Sequence, residues 1–528
     1  MMHRKKIFIY DTTLRDGSQG EGISFSGGSK IKMALKLDEF GVDYIEGGYA
    51  GSNPKDMEFF HEIRKHKLHH AKVAAFGSTR RADVPVDEDA NVLRLLEAGT
   101  PVVTIFGKTW QLHVSEVLKT TVAENRRMIT ETVHFLKRHD KEVIFDAEHF
   151  FDGYKDSPTF ALDMLKAAVE GGAHAIVLCD TNGGTLPHDI HGITAEVVKA
   201  FPTIQVGIHT HNDAELAVAN SLEGVRAGAV QVQGTINGYG ERTGNANLCS
   251  IIPTLELKMG CRAVPEGSLK QLRSLSIFVD DLVNVRHNSK SAYVGMSAFS
   301  HKAGMHVNAV QKLPRTFEHV LPESVGNERR ILISEGSGSS SVLLKAIEMG
   351  VDLKKSSPEV KDILDSLKTL EKQGYTYEAA DASFRMLVQK VLKKHKSFFD
   401  LESFRVIMEK EGAHKPCVSE ASVKVRVGNE VEHVVAEGDG PVNALDRALR
   451  KALARFYPEI EKVVLTDYSV RILDPEEATA AKTRVIIESS DGENHWGTVG
   501  VSVNIIEASW EALVDSVEYK LFCEEKKK

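Results

Sequence analysis

Eight short runs rich in β-branched and aromatic residues, at 6–10, 43–47, 72–76, 102–106, 142–147, 175–179, 204–209 and 230–235, recur through the first half of the chain with amphipathic stretches between them. Runs joined by a helix pair in parallel, because a parallel crossover needs a dozen or more residues where an antiparallel hairpin needs two. Eight such units are what a closed barrel requires, so the sequence predicts an α/β chain with a (β/α)8 TIM barrel over residues 5–262. Connecting segments such as Lys30–Phe40 and Glu215–Arg226 place apolar residues three and four apart, as helices do. Several end at glycine (Gly41, Gly99, Gly172 and Gly228), the residue that a left-handed C-terminal position favours.

Such a barrel keeps its chemistry at the C-terminal ends of the strands. The first run closes on Asp11-Thr-Thr-Leu-Arg-Asp-Gly-Ser-Gln19, which sets Arg15 beside Asp16. An arginine can clamp a small carboxylate or oxyanion with two parallel hydrogen bonds, and the neighbouring aspartate can hold a divalent cation that polarises the same substrate's carbonyl. Taken alone, such a pair is more often surface charge. The seventh run ends on Gly207-Ile-His209-Thr-His211-Asn-Asp213, and residues two apart on a strand face the same way. A single histidine among the 22 of this chain is by default a hydrogen-bonded structural residue. Two at this spacing, with Asp16 and the turn Gly240-Glu-Arg-Thr-Gly-Asn245-Ala-Asn247, favour a metal site instead. Asp16, His209, His211 and the amide of Asn245 suit Mn2+ or Mg2+, with Zn2+ as the alternative.

These segments resemble the barrel of the 2-isopropylmalate synthase, homocitrate synthase and citramalate synthase family, enzymes that condense acetyl-CoA with 2-oxo acids. Tyr44–Asp56, Ala75–Arg81, Val103–Trp110 and Asp146–Gly153 look most like its citramalate synthase branch, and the likeness runs from about residue 5 to about residue 515. The resemblance implies a Claisen-type condensation of acetyl-CoA with pyruvate and water, in isoleucine biosynthesis. It makes Arg15 the donor to the developing alkoxide, and Thr181, in Cys179-Asp-Thr-Asn-Gly-Gly184, the partner of the substrate carboxylate, although a threonine after a strand is by default a helix cap. It also makes Glu148 the active-site glutamate and His306 the catalytic histidine, with His301 as the alternative. Tyr49 is placed to limit the acceptor's side chain, or else it is simply packing. Where the family often carries a tyrosine near the thioester, this chain reads Pro314-Arg-Thr-Phe317. The sister synthases, a metal-dependent carbon–carbon lyase on the same barrel, and a non-catalytic amino-acid-sensing subunit are the competing readings.

Residues 263–415 read as a mostly helical connecting region, with an irregular piece over Ser289–Gly338 that carries Gly304, Gly326, Gly336 and Gly338. From 416 to 520 the pattern turns β again. Two strands at 421–427 and 432–436 precede a helix at 442–456, and three more at 468–473, 483–487 and 496–504 precede a helix at 508–517. This predicts a duplicated α+β domain, and the resemblance makes it regulatory, sensing isoleucine, in a homodimer. A net charge of −8 with no basic stripe excludes nucleic acid as an expected partner. Five cysteines without CxxC spacing, and no apolar run of membrane-spanning length, predict a cytoplasmic chain with reduced thiols and no membrane partner.

Overall fold

The computed structural model describes residues 4–51, 54–332 and 358–525. Gly336, Gly338 and the first residues of the helical stretch expected from 350 lie outside them. The chain forms two compact units: the first runs to Phe299 and takes in Val320–Glu328, and the second holds Ser300–His319 and the chain from Arg329.

In the first unit β1 (Phe8–Asp11), β2 (Tyr44–Tyr49), β3 (Lys72–Ser78), β4 (Val102–Lys108), β5 (Glu142–Glu148), β6 (Ala175–Asp180), β7 (Gln205–Thr210) and β8 (Gln231–Gly234) pair in chain order and close into a barrel. The strand alternation sorts side chains by parity. Ile9, Ile45, Val103, Phe145, Ile176 and Ile208 join the core shared with the surrounding helices. The opposite parity, Tyr10, Tyr44, Ala74, Val102, Ile144, Ala175 and Val177, forms a separate cluster that fills the barrel. Gly41, Gly99, Gly172 and Gly228 all take positive φ after their helices, as their positions require.

One strand departs from simple alternation. Between Glu46 and Gly48 the β2–β3 register slips by a residue, so that Tyr49 pairs with Phe76. Bulges re-aim side chains in this way, and without this one Tyr49 would have the parity of Ile45. Glycine is required at the bulge, because a Cβ on Gly47 would lie 2.2 Å from the Phe59 ring. Asp56 fixes the bulge by accepting from Tyr49 N at 3.0 Å and from Lys30 Nζ at 2.6 Å.

In the second unit β9 (Ser300–His301) and β10 (Arg330–Ile331) pair in parallel, and helices Pro358–Gln373 and Asp381–Val391 follow. Two antiparallel three-stranded sheets come next: β11 (Asp400–Lys410), β12 (Cys417–Val427) and β13 (Glu430–Gly438), then β14 (Val464–Ile472), β15 (Thr483–Ser490) and β16 (His495–Ser502). Each sheet is followed by one helix, Pro441–Ala454 or Ile505–Glu525. The duplication is therefore three strands and a helix, twice. The added strand β11 lies ahead of residue 416 and is mostly exposed, so it offers little of the buried alternation by which strands are read from sequence. All five cysteines are free, and no described helix is long and apolar enough to cross a membrane.

Candidate active site at the barrel mouth

The inward parity that fills the barrel with apolar side chains turns polar toward the C-terminal strand ends. A cavity of about 270 Å³ opens there, lined by Arg15, Asp16, Tyr49, Glu148, Thr181, His209 and His211 among others. Seven of the ten residues singled out from sequence, counting His301 as the alternative to His306, thus meet in one cavity. Asn245 follows β8 in the loop bridged to His211. His306 lies in the second unit.

Three buried ligand atoms, from Asp16, His209 and His211, lie within 4.8 Å of one another. His209 Nε2 stands 3.2 Å from Asp16 Oδ2 and 3.2 Å from His211 Nε2. Burial works against the Asp16 anion, but the Arg15 charge and the His209 contact outweigh it and hold the carboxyl below its ordinary range. Burial likewise opposes the His209 cation, and Asp16 overrides it, so His209 is raised. His211 is driven down to about 3 by burial and by His209, which keeps its imidazole neutral at neutral pH, with one ring-nitrogen lone pair available to a cation. The Asn245 side-chain oxygen and His211 Nδ1 are buried without hydrogen-bond partners. Buried polar atoms are rarely left so. The carboxylate and two facing imidazoles make a donor set that fits a divalent cation, and the orphaned Asn245 oxygen is the candidate fourth donor.

Beyond these donors runs a chain of hydrogen bonds that sequence reading missed. His209 Nδ1 donates to Gln233 Oε1 at 2.7 Å, and Gln233 Nε2 donates to Asp146 Oδ1 at 3.0 Å. Burial pushes the Asp146 carboxyl up to about 7. The loop that brings in Asn245 depends on close backbone approach: a Cβ on Gly244 would meet Gly238 O at 2.0 Å.

Arg15 is held from two directions. Its Nε donates to the fully buried Glu46 at 2.5 Å, and its guanidinium carbon lies 3.8 Å over the Phe76 ring. Burial disfavours its charge, yet Asp16 and Glu46 raise its affinity for the proton. Phe76 stacks on Phe106 at 5.5 Å and meets the edge of Tyr49 at 5.7 Å, so one wall of the cavity is aromatic. Phe76, Phe106, Asp146 and Gln233 share the inward parity of their strands, which is the signal that would have found them.

On the opposite side, Thr181 Oγ1 accepts from His149 N at 2.9 Å, so its own proton remains to be donated. Thr181 caps no helix; the next helix, Pro187–Ala200, has Leu186 at that position. Arg242 grips Asp213 at 2.6 Å and the Thr181 carbonyl at 2.9 Å. Glu148 contacts Lys108. In the second unit His301 Nε2 faces Glu318 at 3.2 Å, and Arg329 binds that buried carboxylate with two bonds. His306, on helix Gly304–Lys312, is exposed, and its ring packs 4.2 Å from that of Phe317.

A family model described as HMGL-like matches residues 6–279, a homocitrate synthase post-HMGL domain-like model matches 293–375, and a LeuA allosteric (dimerisation) domain model matches 378–521. The chain is 54% identical to the (R)-citramalate synthase of Aquifex aeolicus over 521 residues, covering 99% of each. It is 54% identical to that of Geobacter sulfurreducens over 515 residues, 98% of this chain and 97% of the relative. The 2-isopropylmalate synthase of Methanocaldococcus jannaschii is 30% identical over 525 residues, 99% of this chain and 96% of the relative.

Proposed function

The chain belongs to the (R)-citramalate synthase family of HMGL-like enzymes, and from that premise we propose that it condenses acetyl-CoA with pyruvate and water to give citramalate and CoA, at the barrel cavity, in isoleucine biosynthesis. The observation that carries this reading is Arg15, pinned between Glu46 and Phe76 and set beside Asp16 and the two imidazoles. That places a fixed hydrogen-bond fork next to a cation-binding donor set, as polarising a 2-oxo acid requires.

Asp16, His209, His211 and Asn245 would hold Mn2+ or Mg2+, which would supply Lewis-acid polarisation of the acceptor's carbonyl. Arg15 donates to the carbonyl oxygen as it becomes an alkoxide, a contribution that comparable donors set at roughly 3 kcal/mol. Thr181 gives its free proton to the substrate carboxylate. Tyr49, Phe76 and Phe106 bound the space for the acceptor's side chain, which suits a methyl group. Glu148 serves the removal of the thioester methyl proton, and His306 is the candidate histidine for that step, activating the water or base that takes the proton. His306 is favoured over His301 because the Nε2 of His301 is turned onto the buried Glu318–Arg329 pair. Hydrolysis of the resulting CoA thioester makes turnover irreversible. The match to the allosteric (dimerisation) domain model over 378–521 favours a synthase over a lyase and supports an allosterically regulated homodimer, with isoleucine as the proposed inhibitor.

The test is thiol release from acetyl-CoA with Mn2+ or Mg2+, comparing pyruvate, 2-oxobutyrate, 2-oxoisovalerate and 2-oxoglutarate, with and without chelator and isoleucine. Preference for pyruvate, lost with chelator, is expected. Preference for a longer acceptor would move the chain to a sister activity, and no effect of isoleucine would remove the sensing role.

A further inference from the structure

Lys108, in the segment Val103–Trp110 that marks the citramalate branch, has no part in the reaction described above. It stands in register with Glu148 across the β4–β5 pair, both on the inward parity at the strand ends. Its ammonium donates to Glu148 Oε2. The two side chains are only 14% and 24% exposed. A lysine turned into a barrel gives up hydration and needs an anion in return. Here that anion is the glutamate assigned to proton handling.

The backbone of the pair is fixed from outside. The Lys108 carbonyl accepts from Asn125 Nδ2 at 2.9 Å, and the Glu148 carbonyl accepts from Thr109 Oγ1 at 2.7 Å. The Lys108 ammonium also lies 5.4 Å from the centre of the Phe106 ring, the same ring that stacks on Phe76 beneath Arg15. The Glu148 carboxylate makes no other hydrogen bond among the described residues. Its three rotatable bonds are therefore locked by one contact.

We propose that Lys108 is the positioning residue for Glu148, aiming its carboxylate at the proton-transfer partner while keeping clear of the substrates itself. This rests on the condensation reading, in which Glu148 acts on the deprotonation of acetyl-CoA. Misplacing a reacting group by about 1 Å can cost 10²-fold. Loss of Lys108 then falls on kcat and leaves acceptor binding in place.

The experiment is a double-mutant cycle with Lys108→Met and Glu148→Gln, measured as thiol release from acetyl-CoA with pyruvate and Mn2+, together with a crystal structure of the Lys108→Met protein. We expect Lys108→Met to lower kcat by about 10²-fold, with the KM for pyruvate little changed and Lys108→Arg restoring most of the rate. If Lys108 acts through Glu148, the double variant is no slower than Glu148→Gln alone; fully multiplied losses would overturn the proposal. If the wild-type chain releases no thiol with any 2-oxo acid, the condensation reading fails, and the crystal structure decides about Lys108 separately. A displaced Glu148 side chain upholds its positioning role, and an unmoved one ends it. Lys108→Gln, uncharged and able to hydrogen-bond, replaces the Met variant if that protein does not fold.

Discussion

Asp146 and His209 are joined through a single amide: Gln233 donates to Asp146 Oδ1 at 3.0 Å and accepts from His209 Nδ1 at 2.7 Å. Because the amide oxygen accepts from Nδ1–H and so keeps the proton on Nδ1, the lone pair of neutral His209 lies on Nε2, the atom that faces Asp16 and His211. Partners of this kind fix the tautomer and ring orientation of a ligating histidine.

Gln233→Leu removes the acceptor and leaves the imidazole free to turn. Its Mn2+ affinity, measured by calorimetry on the full chain, should fall by roughly 10–100-fold. Unchanged affinity would mean that the chain of hydrogen bonds serves packing alone. Asp16→Ala or His211→Ala removes a ligand outright, and should abolish metal binding and turnover together.

Arg15→Lys keeps the charge but loses the fork, and with it the guanidinium face that covers Phe76. Turnover should fall by roughly 10²–10³-fold, while Mn2+ binding changes far less, because the metal donors are untouched. Loss of metal affinity on the same scale as loss of turnover would make Arg15 a support for Asp16 instead of a substrate donor.

Phe106→Ala opens the aromatic wall beside Phe76. One methylene of extra room is worth roughly 1–3 kcal/mol in discrimination, so the ratio of kcat/KM for 2-oxobutyrate to that for pyruvate should rise by about tenfold. If the ratio stays fixed, the wall lies away from the acceptor's side chain, and Tyr49 is the next position to test.

The legibility of these parts in the sequence follows from how local each signal is. The barrel was readable because strands buried on both faces show as β-branched runs, and the helices between them end at glycines with positive φ. Arg15-Asp16 and His209-x-His211 were readable because the chemistry needs neighbours in sequence. Gln233 and Asp146 were not, since a single amide or carboxylate inside a strand announces nothing until parity aligns it with His209. Tyr49 owes its place in the cavity to a one-residue slip at Gly47 that no periodicity predicts. The Glu318–Arg329 pair that occupies His301 joins residues 11 apart outside any regular repeat.

Asp11 gives a prediction that is independent of catalysis. Its side chain is fully buried, and burial pushes the carboxyl up to about 7, although it accepts hydrogen bonds from Thr13 N at 3.0 Å and Thr13 Oγ1 at 2.9 Å. In the unfolded chain an aspartate titrates near 3.9. Between those values the folded state binds the extra proton, so the stability this group contributes is fully present below about pH 4 and is lost as pH rises to about 7. Asp11→Asn cannot ionise and has no such term. Relative to wild type, its melting temperature should therefore climb from pH 5 to pH 7 and level off above, measured by calorimetry on both proteins in the same buffers. A difference that stays constant across that range would mean that Asp11 is ionised in the folded barrel throughout, with the two Thr13 bonds outweighing its burial.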